Sequence, residues 1–339
     1  MLEEQLKNKR ILVTGGAGFV GSNLVNRLNE LGPNISVTVL DNLFTGKLKY
    51  INSVERVNFV KGSVTDRNLV QKLVKENDIV FHLAARNIIV STKDPFEDLN
   101  TNVFGTFNIL EAARKYETER VVYTSSASVY GNSRYLPINE DDPLNILNPY
   151  AASKLSGENY CMAFYETYRL PVTILRYSNV YGYNQSPKNP YCGVVSKFFA
   201  LIMNEIPPKI HGDGEQTRDF TFVDDAVEAT MLAAISPKVE GEVLNVGTGK
   251  ETSVKQLAKL VIGICGKTFS PGHIDRRDID NLRRRVLNIE KIRKFLRWIP
   301  NTSLEKGLIQ TYAWLVNNQH QWNGNKFLDI DLQKKVKVA

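Results

Sequence analysis

The sequence predicts an α/β protein: a doubly wound, mostly parallel sheet with helices on both faces, and a smaller second lobe after it. Three observations carry the prediction. Short β-branched runs alternate with helical periods through the first half of the chain. That rhythm ends after Arg176, where turn-rich stretches take over. At 339 residues the chain has roughly the length of two domains.

Residues 11–14, 37–41, 57–60, 79–83, 121–125 and 172–176 are the strand candidates, each short and rich in Val, Ile or other apolar side chains. Helical periods lie between them near 21–31, 67–76, 97–116 and 150–169. Strands separated by helices or long connections imply parallel neighbours, because a parallel partner is reached only by a crossover. Beyond Arg176, turn-rich segments at 183–190 and 211–216 separate isolated elements, and Glu242–Val246 reads as a strand returning to the sheet. The expected division is residues 1–178, joined by 219–247, for the sheet domain and 179–339 for the second lobe.

Composition narrows the function classes. With 42% hydrophobic and 23% charged residues, the chain has the make-up of a globular protein and not of a disordered one. No apolar run approaches the ~18 residues of a membrane helix, and residues 1–10 are too polar for a secretory leader. Cys161, Cys192 and Cys265 stand far apart, as do the four histidines, so neither a disulfide framework nor a metal site is expected. The reading is a soluble, cytoplasmic chain with no membrane partner. Net charge is +7, and residues 271–300 alone hold nine basic against four acidic side chains. That segment suits a solvated helix face or a site for polyanions, a nucleotide diphosphate or a nucleic acid among them.

Thr14 leads into Gly15-Gly16-Ala17-Gly18-Phe19-Val20-Gly21. Gly15 permits a tight turn, Gly18 lets a phosphate approach the backbone, and Gly21 lets helix pack close on strand. The helix N-terminus then offers free N–H groups to a pyrophosphate. Asp41 ends the second strand twenty residues after Gly21, where a carboxylate accepts both ribose hydroxyls of NAD and repels the extra phosphate of NADP. Spacing, strand context and acid together predict a dinucleotide site.

Two further segments carry chemistry. Ser125 ends the fifth strand and Ser126 and Ser128 follow it, at the sheet edge where open α/β folds bind ligands. Tyr150 and Lys154 open a helix after Pro149, and positions i and i+4 share a face. Free tyrosine, with a pKa near 10, acts as a base at neutral pH only if neighbouring cations stabilise its phenolate by roughly 4 kcal/mol. Ser126 can donate to, or relay a proton from, a reacting hydroxyl.

Together these segments resemble the extended short-chain dehydrogenase/reductases, specifically their NAD-dependent nucleotide-sugar epimerase/dehydratase group. The likeness runs from about residue 9 to 316. It includes TGGAGFVGS at 14–22, DNLFTG at 41–46, HLAA at 82–85, NVFGT at 102–106, TSSASVYG at 124–131, YAASK at 150–154, LRYSNVYG at 175–182 and GDGEQTRDFTFVDD at 212–225. The resemblance implies a Rossmann-type fold, a retained NAD, and a nucleotide sugar, commonly UDP-linked, as substrate. It implies cofactor contacts at Gly15, Gly18, Phe19, Val20, Gly21, Asp41, Asn42, Thr45, Gly46, Val64, Leu83, Ala84, Ala85, Asn102, Tyr150, Lys154, Tyr177 and Val180. It further implies that Tyr150 takes the proton of the sugar 4-hydroxyl, that Lys154 binds the nicotinamide ribose and lowers the tyrosine pKa, and that Ser126 bonds the 4-oxygen. Asn179, Arg218, Arg277 and Asp280 are implied to hold the diphosphate and nucleoside, and the helices at 102–116 and 150–169 to form a homodimer interface.

Departures from the group's pattern narrow the reaction. Members that eliminate water carry Asp-Glu after the Ser/Thr, and decarboxylating members a Glu two residues after it. Here Ala127 and Ser128 stand there, which disfavours both reactions. Ser63 replaces an acid that many members set against adenine, leaving that contact to the Val64 backbone. His82 is expected at the core edge, bonded to backbone, and Glu140-Asp141-Asp142 in a solvated loop. Arg86 either faces the sugar or pairs with an acid. The residue limiting bulk beside the sugar C2 is implied to be Arg284 or Arg285, paired with a uronate carboxylate or turned to solvent. The functional expectation is 4-epimerisation of a nucleotide-linked glucose/galactose, N-acetylhexosamine or hexuronic acid through a transient 4-keto sugar. The alternatives are another dehydratase or oxidoreductase of the group, or a catalytically silent nucleotide-binding protein. Nucleic acid, through residues 271–300, is the weighed partner that is not expected.

Overall fold

The computed structural model describes residues 2–187, 189, 193–276 and 282–319. In chain order the elements are α1 (Leu2–Leu6), β1 (Arg10–Thr14), α2 (Phe19–Glu30), β2 (Ser36–Asp41), β3 (Val57–Lys61), α3 (Arg67–Lys75) and β4 (Ile79–His82). Then come α4 (Ile88–Lys93), α5 (Pro95–Asp98), a π-helical turn (Leu99–Phe104), α6 (Gly105–Lys115), β5 (Arg120–Ser126), a short 3-10 turn (Ala127–Tyr130), α7 (Pro149–Tyr168), β6 (Val172–Tyr177) and β7 (Asn179–Tyr181). The remainder is α8 (Val194–Met203), β8 (Lys209–His211), β9 (Thr217–Arg218), β10 (Phe220–Phe222), α9 (Val223–Ile235), β11 (Glu242–Val246), β12 (Thr252–Ser253), α10 (Val254–Ile264), β13 (Gly272–Ile274), α11 (Glu290–Leu296) and α12 (Leu304–Asn317).

Seven strands pair in the order β11-β6-β5-β4-β1-β2-β3, every neighbour parallel. All six strand candidates and the returning β11 are in this sheet, a Rossmann-type arrangement. Helices cover both faces, so the strands read as near-continuous apolar runs. Alternation divides them between two cores: Ile11, Val13, Val39 and Phe81 pack with Leu24 and Val25 of α2, whereas Leu12, Leu40, Val80 and Val121 pack with Ile109, Cys161 and Phe164 of α6 and α7. Among the described residues no helix is long and apolar enough to cross a membrane, and no group of three or more His, Cys, Asp or Glu is placed to hold a metal.

One expectation is refined and one corrected. The helix expected at 97–116 is present as a continuous helical run through α5, the π turn and α6, with its middle turn widened. The extra residue in the π turn rotates Asn102 inward, where its amide donates to the Arg86 carbonyl at 3.1 Å and to Asp98 at 2.5 Å. Glu140 is not part of a solvated loop. As the edge strand, β11 leaves the Asn245 N–H without a strand partner, and the Glu140 carboxylate accepts it at 2.8 Å.

A buried ion pair locks α7 over the sheet. Arg176 of β6 reaches Glu158 of α7 at 2.7 Å, and its Nη1 also donates to the Tyr130 hydroxyl at 2.9 Å and the Glu140 carbonyl at 2.8 Å. Ser125 donates to the same carboxylate. Replacing Arg176 by Met leaves Glu158 buried and unmatched, so urea denaturation should show a stability loss of about 3–5 kcal/mol. A loss under about 1 kcal/mol, the size of an exposed pair, would contradict this role.

Candidate active site

Loops after β1, β2, β4 and β5 converge at the carboxyl edge of the sheet. Gly15 sits at φ +70°, in the left-handed region, and a Cβ there would lie 2.7 Å from the Ala84 nitrogen. At Gly21 a Cβ would lie 2.2 Å from the Gly15 carbonyl oxygen, so α2 starts hard against the turn. Above this floor opens a cleft of about 500 Å³, lined by Gly15, Gly18, Phe19, Val20, Gly21, Asp41, Asn42, Thr45, Val64, Leu83, Ala84, Ala85 and Tyr150. Asp41 is fixed there by the Ala17 N–H at 3.0 Å and the Leu43 N–H at 2.7 Å; burial raises its pKa and these bonds oppose the rise. Glycine floor, helix N-terminus and fixed carboxylate are the donor and acceptor set that an NAD pyrophosphate and ribose require.

Other expected contacts lie behind the cleft wall. Gly46 packs on Ala17, whose carbonyl accepts the Lys47 N–H at 2.9 Å. Asn102 is buried in the network described above. The Tyr177 hydroxyl bonds Thr230 at 2.5 Å, with burial raising its pKa, and Val180 lies in β7 with its N–H on the Ser178 carbonyl. Phe44 and Arg86 also line the cleft. Arg86 pairs with Glu97 and stacks 3.9 Å from the Phe44 ring centroid, which joins two loops no local pattern connects.

Asn148 caps α7 by accepting the Ala151 N–H at 2.9 Å, and Pro149 takes the first helical position. Tyr150 therefore falls in the first turn and Lys154 one turn on. The Ser126 hydroxyl acts on the Tyr150 phenol, and its Oγ receives the Ser128 hydroxyl at 2.9 Å and N–H at 3.2 Å. Lys154 is buried, donating to the Thr124 carbonyl at 2.7 Å, with the Tyr123 ring centroid at 5.0 Å. Burial pushes the Tyr150 phenol up to about 12; the Ser126 hydroxyl and Arg285 oppose this and Asp98 adds to it. Burial pulls Lys154 down to about 8, opposed by Asp98 and Glu158. His82 bonds the hydroxyls of Thr14 at 2.7 Å and Thr106 at 2.9 Å, in place of the backbone contact expected, and burial pulls it down to about 3. It is a neutral core residue.

Of the residues expected to hold the substrate, Asn179 opens β7 with its N–H on the Asp219 carbonyl at 2.9 Å. Arg218 is buried, donating to the carbonyls of Thr217 at 2.8 Å and Leu282 at 2.9 Å. Arg277, Asp280 and Cys192 lie outside the described residues. The next arginines part company: Arg283 pairs with Asp213 at 2.8 Å and Arg284 with Glu251 at 2.5 Å, both at the surface, while Arg285 turns inward with 6% of its area exposed. Its charge acts on Tyr150.

Residues 11–247 match the sequence profile of the NAD dependent epimerase/dehydratase family. The chain belongs to this family. It is 40% identical over 314 residues to a putative UDP-glucose 4-epimerase of Methanocaldococcus jannaschii, a match covering 91% of this chain and 99% of that protein. It is 35% identical over 336 residues to a dTDP-D-glucose 4,6-dehydratase of Bos taurus, covering 95% and 93%. The solved structure of an epimerase from Methanothermobacter thermautotrophicus has a TM-score of 0.90 at 36% identity, covering 95% of this chain and 97% of that one. As a member of the NAD dependent epimerase/dehydratase family, the chain uses NAD as its cofactor.

Gly21→Val forces the turn off α2. Calorimetric titration should show NAD bound at least tenfold more weakly, a loss of about 1.4 kcal/mol or more; unchanged affinity would contradict the placement of the pyrophosphate.

Proposed function

We propose that this chain inverts C4 of a nucleotide-linked hexose, a UDP sugar, through a transient 4-keto sugar. The observation that carries the reading is Tyr150 in the lining of the NAD cleft with Ser126 acting on its phenol, Lys154 buried behind it and no acid or base at the two positions after Ser126. When bound, NAD supplies a hydride acceptor that can also return the hydride. Tyr150 Oη takes the proton of the sugar 4-hydroxyl, and Ser126 Oγ holds the 4-oxygen while the proton moves. A phenol at about 12 ionises near neutral pH only beside positive charge. Lys154, Arg285 and an oxidised pyridinium provide it. Asn179, Arg218, Arg277 and Asp280 are assigned to the sugar diphosphate and nucleoside.

The family's 4-epimerases and 4,6-dehydratases resemble this chain over similar lengths, so overall likeness does not separate the two reactions. Local chemistry favours the first. Elimination across C5 and C6 requires an acid and a base; Ala127 is a buried methyl, and the Ser128 hydroxyl is spent on Ser126. Arg285 adds a positive charge beside Tyr150, which favours the hexuronic derivative among the three sugar classes.

Tyr150→Phe should lower turnover about 10²–10⁴-fold while the purified protein keeps its NAD. Near-wild-type turnover in that variant would end the proposal. Incubation with a panel of nucleotide sugars should give the 4-epimer by NMR; a 4-keto-6-deoxy product would select the dehydratase reading instead.

A homodimer belongs to the same proposal. Phe104, Phe107, Tyr160 and Tyr168 are exposed on the helices expected to pair, and the Phe107 and Tyr160 rings lie edge to face at 5.4 Å, making one apolar patch across α6 and α7. Light scattering should return a dimer mass for the wild type and a monomer for Phe104→Glu. A monomeric wild type would contradict it.

A further inference from the structure

One buried carboxylate beside the catalytic pair has no part in the proposed chemistry. Asp98 ends α5 and is 2% exposed. Its Oδ1 accepts from Ser91 Oγ at 2.5 Å, Asn102 Nδ2 at 2.5 Å and Ser153 Oγ at 3.1 Å. The donors come from α4, the π turn and α7, so a single oxygen ties three elements together. Three donors aimed at one oxygen favour the ionised acid, against the burial that raises its pKa. Ser153 also lies 3.0 Å from the Tyr150 carbonyl and directly precedes Lys154. Asp98 thus holds the very turn of α7 that presents the phenol and the ammonium.

The charges around that turn single it out. Lys154 faces Asp98 from α5, Glu158 and Cys161 on its own helix, His82 from β4 and the Tyr123 ring from β5. Tyr150 faces Ser126, Asp98 and Arg285. His82 is neutral, and the Cys161 thiol is held protonated by burial. Glu158 is already matched by Arg176 at 2.7 Å. Asp98 is held by neutral donors, with no guanidinium against it, and acts electrostatically on both Lys154 and Tyr150.

We propose that Asp98 is a positioning residue for the reaction: it fixes the Tyr150–Lys154 turn through its three hydrogen bonds and sets the charge balance between the two, keeping the ammonium charged and the phenol protonated until cofactor and substrate arrive. The proposal rests on the roles given to Tyr150 and Lys154 above. A negative charge favours the protonated form of both neighbours. Removing it lets both release their protons at lower pH, so the two limbs of a bell-shaped profile move together.

The test compares wild type with Asp98→Asn, which keeps size and an acceptor oxygen but loses the charge. The pH optimum of kcat should move down by about 1 unit, the shift produced by one neighbouring charge, while KM for the nucleotide sugar stays near its original value. Asp98→Glu, which keeps the charge, should stay at the wild-type optimum. A merely structural role would lower kcat in both variants and leave the optimum in place, and that result overturns the proposal.

Tyrosinate absorbance supplies a readout that needs no turnover. The difference between each holoenzyme and its Tyr150→Phe counterpart should show the phenol ionising at lower pH in Asp98→Asn. If no sugar is turned over but this shift appears, the epimerase reading fails and the Asp98 role stands. If the shift is absent, the Asp98 role fails on its own. Should Asp98→Asn not fold, by melting and NAD content, Asp98→Ser gives the same comparison.

Discussion

One buried hydrogen bond, from the Lys154 ammonium to the Thr124 carbonyl at 2.7 Å, pins helix α7 to the end of strand β5. Everything chemical at the site depends on it. Ser126 follows Thr124 by two residues and Tyr150 precedes Lys154 by one helical turn, so fixing the lysine brings serine and phenol together. The arrangement puts an ammonium in a low-dielectric interior, which is expensive unless it is hydrogen-bonded and faced by negative charge. The carbonyl, Asp98 and Glu158 meet that demand. The same burial makes the phenol reluctant to ionise and the ammonium ready to lose its proton; positive charge entering the adjoining cleft eases the first, and Asp98 and Glu158 oppose the second.

The sheet explains why the cleft and the proposed catalytic pair adjoin. All seven strands run parallel, so every β-to-α connection at one edge belongs to the same surface, and the glycine turn, Asp41, the HLAA segment and the serine-rich end of β5 are neighbours there. The second half of the chain closes the far side. Leu282 accepts from Arg218, and Leu287 packs on Ala127 and Val129 just beyond Ser126. That strip brings Arg285 inward while its two predecessors face Asp213 and Glu251.

What was legible in the sequence is what local rules govern. Strands buried on two faces announce themselves as apolar runs, and the glycine turn is legible because only a missing Cβ fits at Gly15 and Gly21. The i, i+4 spacing of Tyr150 and Lys154 was readable for the same reason. Features set by tertiary packing were not. Arg283, Arg284 and Arg285 are identical side chains in a row, and only the packing of Leu287 and the acids opposite decide which one points inward. Glu140 looked solvated because nothing local says that β11 would end at the sheet edge beside it. Asp98 carried no signal: its donors Ser91, Asn102 and Ser153 are brought together by the π turn, which no periodicity foretells.

The most direct test follows one hydrogen atom. A nucleotide hexose accepted by the enzyme, labelled with deuterium at C4, is converted in ordinary water and its 4-epimer analysed by mass spectrometry and NMR. If the Ser126–Tyr150 pair acts on the 4-hydroxyl while hydride leaves and returns within one closed site, the label stays at C4 in the product. Washing-out of the label into solvent, or its appearance at another carbon, would contradict the account.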